Sequence, residues 1–216
     1  LGDLLLERFG QAERAIAQYA QAQARDPNDW SAPYGRGLAL ARIGQPASAL
    51  PALEEAARLA PENPIPDYSR AQVLLRLNRP QDALAAFDAS LARSADYAPS
   101  RLGKAALLIG QGRSRDAIPE FQRVLSTAPN EVNALIGLGM ARQATGDAAG
   151  AETAFRQAVE LAPQHPIALN NLAWLTVERR GNLDDAARWA EAAVTALPNE
   201  ASTLTTLGWI RRQRNE

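Results

Sequence analysis

The sequence lacks cysteine and has one histidine and one methionine in 216 residues. The lack of cysteine excludes disulfides, thiol catalysis and cysteine-ligated metals. Lysine occurs once, at Lys104, while arginine and alanine are abundant, which indicates a bacterial source with GC-rich genes. No apolar run approaches the ~20 residues needed to cross a bilayer, so direct membrane insertion is not expected.

The sequence also has no large excess of positive or negative charge. Its net charge is -1, and the basic residues are scattered among acidic ones. This balance gives no basic stripe for nucleic acid and no general attraction to an anionic membrane. We therefore expect no nucleic-acid partner.

Residues that could form a catalytic or metal site are sparse. The single histidine, His165, lies in a turn between two helical patterns, and a metal ligand would need further ligands close by. The adjacent carboxylates Glu54–Glu55 and Asp184–Asp185 fall on expected solvent-facing helix surfaces or helix starts. No phosphate-binding loop is present. The sequence thus predicts no enzyme, no metal and no cofactor.

A period of 34 residues is the strongest pattern that is present. Small residues recur in a first helical segment at Gly37, Ala71, Ala105 and Gly139. Alanines recur in a second segment at Ala15, Ala49, Ala83, Ala117 and Ala151. Bulky residues follow four positions later at Tyr19, Leu53, Phe87, Phe121 and Phe155. The small positions predict close helix packing, and the phenylalanines are predicted to lie in the core.

One period, residues 132–165, shows the unit that is repeated. Apolar residues at three- and four-residue steps form two amphipathic helices, which are joined at Thr145–Asp147 and closed by Pro163. Neither helix is long enough to be stable alone in water, so each must bury its apolar stripe against a neighbour.

This helix-turn-helix period, with its small, bulky and proline positions, resembles the tetratricopeptide repeat. The resemblance implies an all-α fold, a right-handed α-solenoid that forms a single array over residues 1–216. The predicted parts are a partial repeat 1–29, full repeats 30–63, 64–97, 98–131, 132–165 and 166–200, and a terminal helix 201–216. The repeat 166–200 carries one extra residue in its turn, at 179–182.

The resemblance also implies a function, because in this family the first helices line a concave groove. We expect a non-catalytic scaffold that binds a peptide or helix of a protein partner there, as part of a larger bacterial protein or assembly. The expected groove residues are Tyr34, Tyr68, Arg76, Asn133, Ile136, Met140, Gln143, Asn170, Asn171, Trp174, Thr205 and Trp209.

Two features stand out at the C-terminal end of this row. Trp174 and Trp209 are equivalent in register and could form an aromatic ledge of the kind found at binding hot spots. Alternatively, they only fill a helix interface. Asn170 and Asn171 offer amides to an extended peptide backbone.

The clamp by which some family members hold a terminal carboxylate is missing. Its asparagine position is occupied by Gly35, Ser69, Gly103 and Gly137, and only Asn171 matches. Its lysine position is occupied by Ser31, Ile65, Pro99 and Asn133.

Three alternatives remain open. The segments LNNLAW (169–174) and LTTLGW (204–209) look like bacterial arrays of envelope proteins linked to exopolysaccharide production. This likeness allows a polysaccharide-binding module and favours the periplasm over the cytoplasm, especially since an export signal could have preceded Leu1. Leu4–Leu6 and the final helix could instead mediate self-assembly into a homo-oligomer. A catalytic or membrane domain could also lie elsewhere in a longer protein.

Overall fold

The structure is a computed structural model that describes residues 11–215, and within this range all regular structure is α-helical. The all-α prediction is therefore confirmed. The helices are α1 Ala12–Arg25, α2 Ser31–Arg42, α3 Pro46–Leu59, α4 Ile65–Arg76, α5 Pro80–Arg93, α6 Ala98–Gly110, α7 Ser114–Thr127, α8 Val132–Ala144, α9 Ala148–Leu161, α10 Pro166–Glu178, α11 Leu183–Ala196 and α12 Ala201–Gln213.

The helices belong to two compact units, Leu1–Leu107 and Leu108–Glu216, whose boundary falls within α6. In unit 1, each of α1 to α4 packs on the next helix, and α2 also contacts α4. In unit 2, each of α7 to α11 packs on the next helix, and α10 also contacts both α8 and α12. The even-numbered helices are the first helices of the predicted repeats. The division into repeats at the stated boundaries remains a prediction, and Leu4–Leu6 lie outside the described residues.

The bulky residues of the second helices form the core, as predicted. Phe87, Phe121 and Phe155 are all buried, and so are the alanines four positions before them. Phe155 belongs to a cluster with Leu135, Leu172 and Leu175, which come from the first helices on either side of it. The second helix α9 thus buries its apolar stripe between the first helices α8 and α10, which is how short helices become stable.

Two glycines of first helices permit close helix packing. A Cβ added to Gly103 would lie 2.6 Å from Cζ of Phe87, and one added to Gly137 would lie 2.3 Å from Cε1 of Phe121. Contacts this short are forbidden, so each glycine makes room for a phenylalanine ring of the preceding helix.

The turns between paired helices share one backbone conformation. Gly44, Gly112 and Gly146 have positive φ angles of 79°, 74° and 87°, and the equivalent Asn78 and Arg180 have 54° and 58°. In the last turn, Gly181 lies between Arg180, which has the positive φ angle, and the N-cap Asn182. In the preceding repeat the N-cap Asp147 follows Gly146 directly. The extra residue of the repeat 166–200 is therefore accommodated at Gly181.

Unit 1 also contains a buried charge that the sequence pattern did not reveal. Asp67 in α4 is only 1% exposed. Its carboxylate accepts a hydrogen bond from Nε of Arg93 in α5 and pairs with Arg70 at 3.0 Å. The Arg93 guanidinium also donates to the carbonyl of Ala60. The network thereby joins α4, α5 and the C-terminal end of α3.

Candidate functional site

Five of the predicted groove residues converge on one pocket in unit 2, which we call the amide pocket. Its volume is about 430 Å³, and it is lined by Gln143, Asn170, Asn171, Trp174, Ala201, Ser202, Thr205 and Thr206. These residues come from the three first helices α8, α10 and α12. None carries a charge, so the pocket presents amides, hydroxyls and one indole ring.

The central helix of this pocket begins in a well-defined way. His165 is the N-cap of α10, where its Nδ1 accepts a hydrogen bond from the backbone N–H of Ala168 at 3.4 Å, and Pro166 is the first helical residue. A proline fits this position because its missing N–H would have no helical partner there. His165 thus has a capping role, consistent with its predicted place in a turn. Asn170, Asn171 and Trp174 then follow within about one turn of helix, on the side that faces the pocket.

Hydrogen bonding inside the pocket leaves one acceptor unused. The Gln143 amide donates to a carboxylate oxygen of Glu178 at 3.2 Å, and the Thr205 hydroxyl donates to the carbonyl of Ala201 at 2.7 Å. By contrast, Oδ1 of Asn170 is buried and has no hydrogen-bond partner in the described structure. A buried unpaired carbonyl costs about 1–3 kcal/mol.

The two register-equivalent tryptophans are in contact. The ring centroids of Trp174 and Trp209 lie 4.5 Å apart, with the ring planes inclined at 41°. Trp209 packs partly against the core cluster that contains Ala190, Leu207 and Ile210, whereas the Trp174 side chain is 36% exposed. Trp209 therefore supports Trp174, and Trp174 presents its indole to solvent.

A second pocket, which we call the tryptophan pocket, also has Trp174 in its lining. It has a volume of about 560 Å³ and is lined by Trp174, Val177, Glu178, Arg180, Gly181, Leu183, Trp209 and Gln213. Trp174 therefore lines both a neutral pocket and a pocket that contains an acid and a base.

The remaining predicted residues of unit 2 lie outside both pockets. Met140 is 39% exposed, and Asn133 is exposed with its side-chain amide donating to Glu131 at 3.2 Å. Ile136 is only 7% exposed and belongs to the core cluster of Phe155 and Leu172. The prediction that Ile136 faces a partner is therefore wrong, because its aliphatic side chain packs between helices.

Unit 1 holds the other three predicted residues. The Tyr34 hydroxyl is 3.2 Å from Oγ of Ser69, and the Tyr68 ring contacts the rings of Phe87 and Tyr97. Burial, and then the nearby Tyr68 and Tyr34, raise the pKa of the Tyr97 hydroxyl above its ordinary value. The two predicted tyrosines are half-buried and stabilise the unit by packing.

Arg76 lines a further pocket, which we call the arginine pocket. Its volume is about 470 Å³, and its lining residues are Leu38, Ala41, Arg42, Ser69, Gln72, Val73 and Arg76. Arg42 was not among the predicted site residues. Its position 34 residues before Arg76, at the same place in the repeat, is the signal that could have identified it.

Neither a metal site nor a membrane span is found in the described part of the chain. Residues 11–215 contain no group of three or more His, Asp or Glu side chains placed to hold a metal ion. Among the helices α1 to α12, none combines the length and the apolar character needed to cross a bilayer.

The tetratricopeptide-repeat family model matches residues 4–64, 34–100, 68–131, 102–163 and 136–201. These matches span most of the chain, and the chain therefore belongs to the tetratricopeptide-repeat family. Proteins of this family generally mediate protein–protein interactions, and the fold is typically a non-catalytic scaffold. No curated protein matches the chain in sequence.

Several solved structures share the fold. MamA (residue 41 to the end) from Desulfovibrio magneticus RS-1 is 25% identical with a TM-score of 0.66, over 78% of this chain and 93% of that one. PilW, described as a type IV pilus biogenesis factor, is 21% identical with a TM-score of 0.73, over 95% and 94%. YrrB, described as having an unusual peptide-binding site, is 18% identical with a TM-score of 0.70, over 87% and 96%. At these identities the likeness concerns the fold, and the predicted bacterial source fits these neighbours.

Proposed function

We propose that this chain is an interaction scaffold that binds a neutral, extended peptide segment of a partner protein in the amide pocket. The observation that carries the proposal is the convergence of Gln143, Asn170, Asn171, Trp174 and Thr205 on a single uncharged pocket. Three first helices contribute these residues, so the pocket exists only because the repeats stack.

The amides supply recognition of a peptide backbone. An asparagine side chain offers both a donor and an acceptor, which matches the alternating N–H and C=O groups of an extended chain. Asn170 and Asn171 are neighbours on α10, and both line the pocket. Recognition of this kind depends little on the side chains of the ligand.

The exposed indole of Trp174 supplies the apolar part of the binding energy. Its contact with Trp209 holds the ring in place, so little side-chain entropy is lost on binding. An apolar or aromatic ligand side chain placed on this ring would displace water from both surfaces. Since no charged group lines the pocket, the affinity is expected to change little with salt.

The test uses peptides selected from a random display library by the immobilised chain. Their dissociation constants are then measured with wild type, Asn171→Ala and Trp174→Ala, each shown by circular dichroism to be folded. We expect Trp174→Ala to weaken binding by about thirtyfold, as for a hot-spot aromatic, and Asn171→Ala by about fivefold.

The matched control is Leu161→Ala, which removes an apolar side chain that is 44% exposed at the end of the second helix α9. This variant should bind as wild type does. Unchanged binding by both site variants would show that the peptide binds outside the amide pocket. An equal loss of affinity in the control would indicate a general effect on folding.

A second candidate, polysaccharide binding, is favoured by the same exposed indole, because a sugar ring stacks on an aromatic face. Titration with bacterial polysaccharide while tryptophan fluorescence is recorded tests it. A change that is lost in Trp174→Ala would support this function, and no change in wild type would exclude it.

A further inference from the structure

The first helices of unit 1 carry an unusual excess of positive charge. Their cationic residues, taken over α2, α4 and α6 up to residue 107, are Arg36, Arg42, Arg70, Arg76, Arg101 and Lys104. The only acidic residue in the same segments is Asp67, which is buried and already bonded to Arg70 and Arg93. The second helices of the same unit, α1, α3 and α5, carry no such excess, with five carboxylates against four arginines. The excess therefore belongs to one set of helices, although the whole chain has a net charge of -1.

Two of these residues, Arg42 and Arg76, line the arginine pocket. Nη1 of Arg76 donates to the carbonyl oxygen of Ala41 at 3.4 Å, which brings its guanidinium next to the residue that precedes Arg42. Both arginines are exposed and line the same cavity. No ion pair joins either of them to a carboxylate within the described residues. Two arginines that line one cavity and have no ion-pair partner among the described residues favour an anionic ligand.

The rest of the lining defines the shape of that ligand. Ser69 and Gln72 add a hydroxyl and an amide, while Leu38 and Val73 form an apolar wall. A glutamate side chain matches this arrangement, because its methylene groups can lie on the apolar wall while its carboxylate reaches the guanidinium forks. Arginine binds carboxylates through paired, charge-assisted hydrogen bonds, which are stronger than neutral ones.

We propose that the arginine pocket binds a glutamate side chain of an acidic peptide. The charge comes from Arg42 and Arg76, and not from the lysine and asparagine positions of the family's terminal-carboxylate clamp, which unit 1 lacks. The pocket lies entirely within unit 1, so this site is independent of the amide pocket and either one can fail without the other. It adds a preference for acidic segments to a chain that has almost no net charge.

The experiment measures binding to the whole chain by isothermal titration calorimetry. The probe is an alternating Glu-Ala peptide with an acetylated N-terminus and an amidated C-terminus. A Gln-Ala peptide with the same blocked ends serves as the neutral comparison, and a Gln-Ala peptide with a free C-terminus supplies a single terminal carboxylate.

We expect the Glu-Ala peptide to bind at least about tenfold more tightly than both Gln-Ala peptides, and more weakly as salt rises. The double variant Arg42→Gln, Arg76→Gln should lose at least about tenfold in affinity for it. The double variant Arg42→Lys, Arg76→Lys should recover only part of that loss, since lysine keeps the charge but not the planar fork.

The matched control is the double variant Arg25→Gln, Arg115→Gln, which removes two other exposed arginines and changes the net charge equally. It should bind the Glu-Ala peptide within about twofold of wild type. An equal loss in this control would reduce the effect to general charge attraction and overturn the proposal. Tight binding of the Gln-Ala peptide with a free C-terminus would show that the pocket binds a terminal carboxylate and not a glutamate side chain. Equal affinity for all three peptides would show that the chain has no site for acidic peptides.

Discussion

The ring of Phe121 occupies the space in which residue 137 would carry a side chain. A Cβ at Gly137 would lie 2.3 Å from both Cε1 and Cζ of that ring. Phe121 belongs to α7 and Gly137 to α8, so this one contact brings a second helix against the first helix that follows it. The stacking of neighbouring helix pairs in unit 2 depends on such contacts.

Gly137→Ala should therefore destabilise the protein. Overpacking in a core costs about 1–3 kcal/mol, which outweighs the roughly 0.5–1 kcal/mol that alanine gains over glycine inside a helix. Urea denaturation followed by circular dichroism measures the change. Gly208→Ala is the control, since a Cβ there meets nothing within 4 Å, and it should stabilise the chain. A Gly137→Ala variant as stable as wild type would show that Phe121 has room to move.

The buried carboxylate of Asp67 gives a second prediction. Asp67→Asn leaves Arg93 without its charged partner, and removing one member of a buried ion pair costs about 3–5 kcal/mol. We expect a loss near the lower end, because the side chains of Arg70 and Arg93 are about one-fifth exposed. Thermal unfolding tests this result beside Asp82→Asn, which breaks an exposed pair with Arg79 and should cost less than about 1 kcal/mol. Similar losses in both variants would contradict the distinction between buried and exposed pairs.

The raised pKa of Tyr97 predicts that stability falls in alkaline solution. Burial favours the neutral hydroxyl, so the folded protein holds its proton to a higher pH than the unfolded chain does. The resulting stability is fully present below the unfolded pKa of about 10 and is lost as the pH rises through the folded value. Urea midpoints measured between pH 8 and pH 11 should decline more in wild type than in Tyr97→Phe. Parallel declines would assign the alkaline loss to other groups.

Helix positions and core residues could largely be predicted from the sequence. The 34-residue period placed Phe87, Phe121 and Phe155 in the core, and all three are buried. It also identified Trp174 and Trp209 as register-equivalent, and their rings touch. These features depend on local helix geometry and on one recurring contact between neighbours, so a periodic sequence specifies them.

Other residues escaped prediction because their environment depends on which side chains neighbouring helices supply. Ile136 has the same register as Tyr34 and Tyr68, yet it is buried with Leu172 in the core of unit 2. The buried carboxylate of Asp67 pairs with Arg70 on its own helix and with Arg93, which only the packing of the next helix brings within reach.

By itself, the sequence determined the all-α repeat class, the core positions and the lack of cysteine chemistry. Those properties follow from composition and from a period that helix geometry imposes on every repeat. Only the tertiary structure decided that Gln143, Asn170 and Thr205 share one neutral pocket and that Arg42 meets Arg76 in another. The physical reason is that a pocket wall comes from helices about 34 residues apart, whose distance and orientation are set by packing across the repeats.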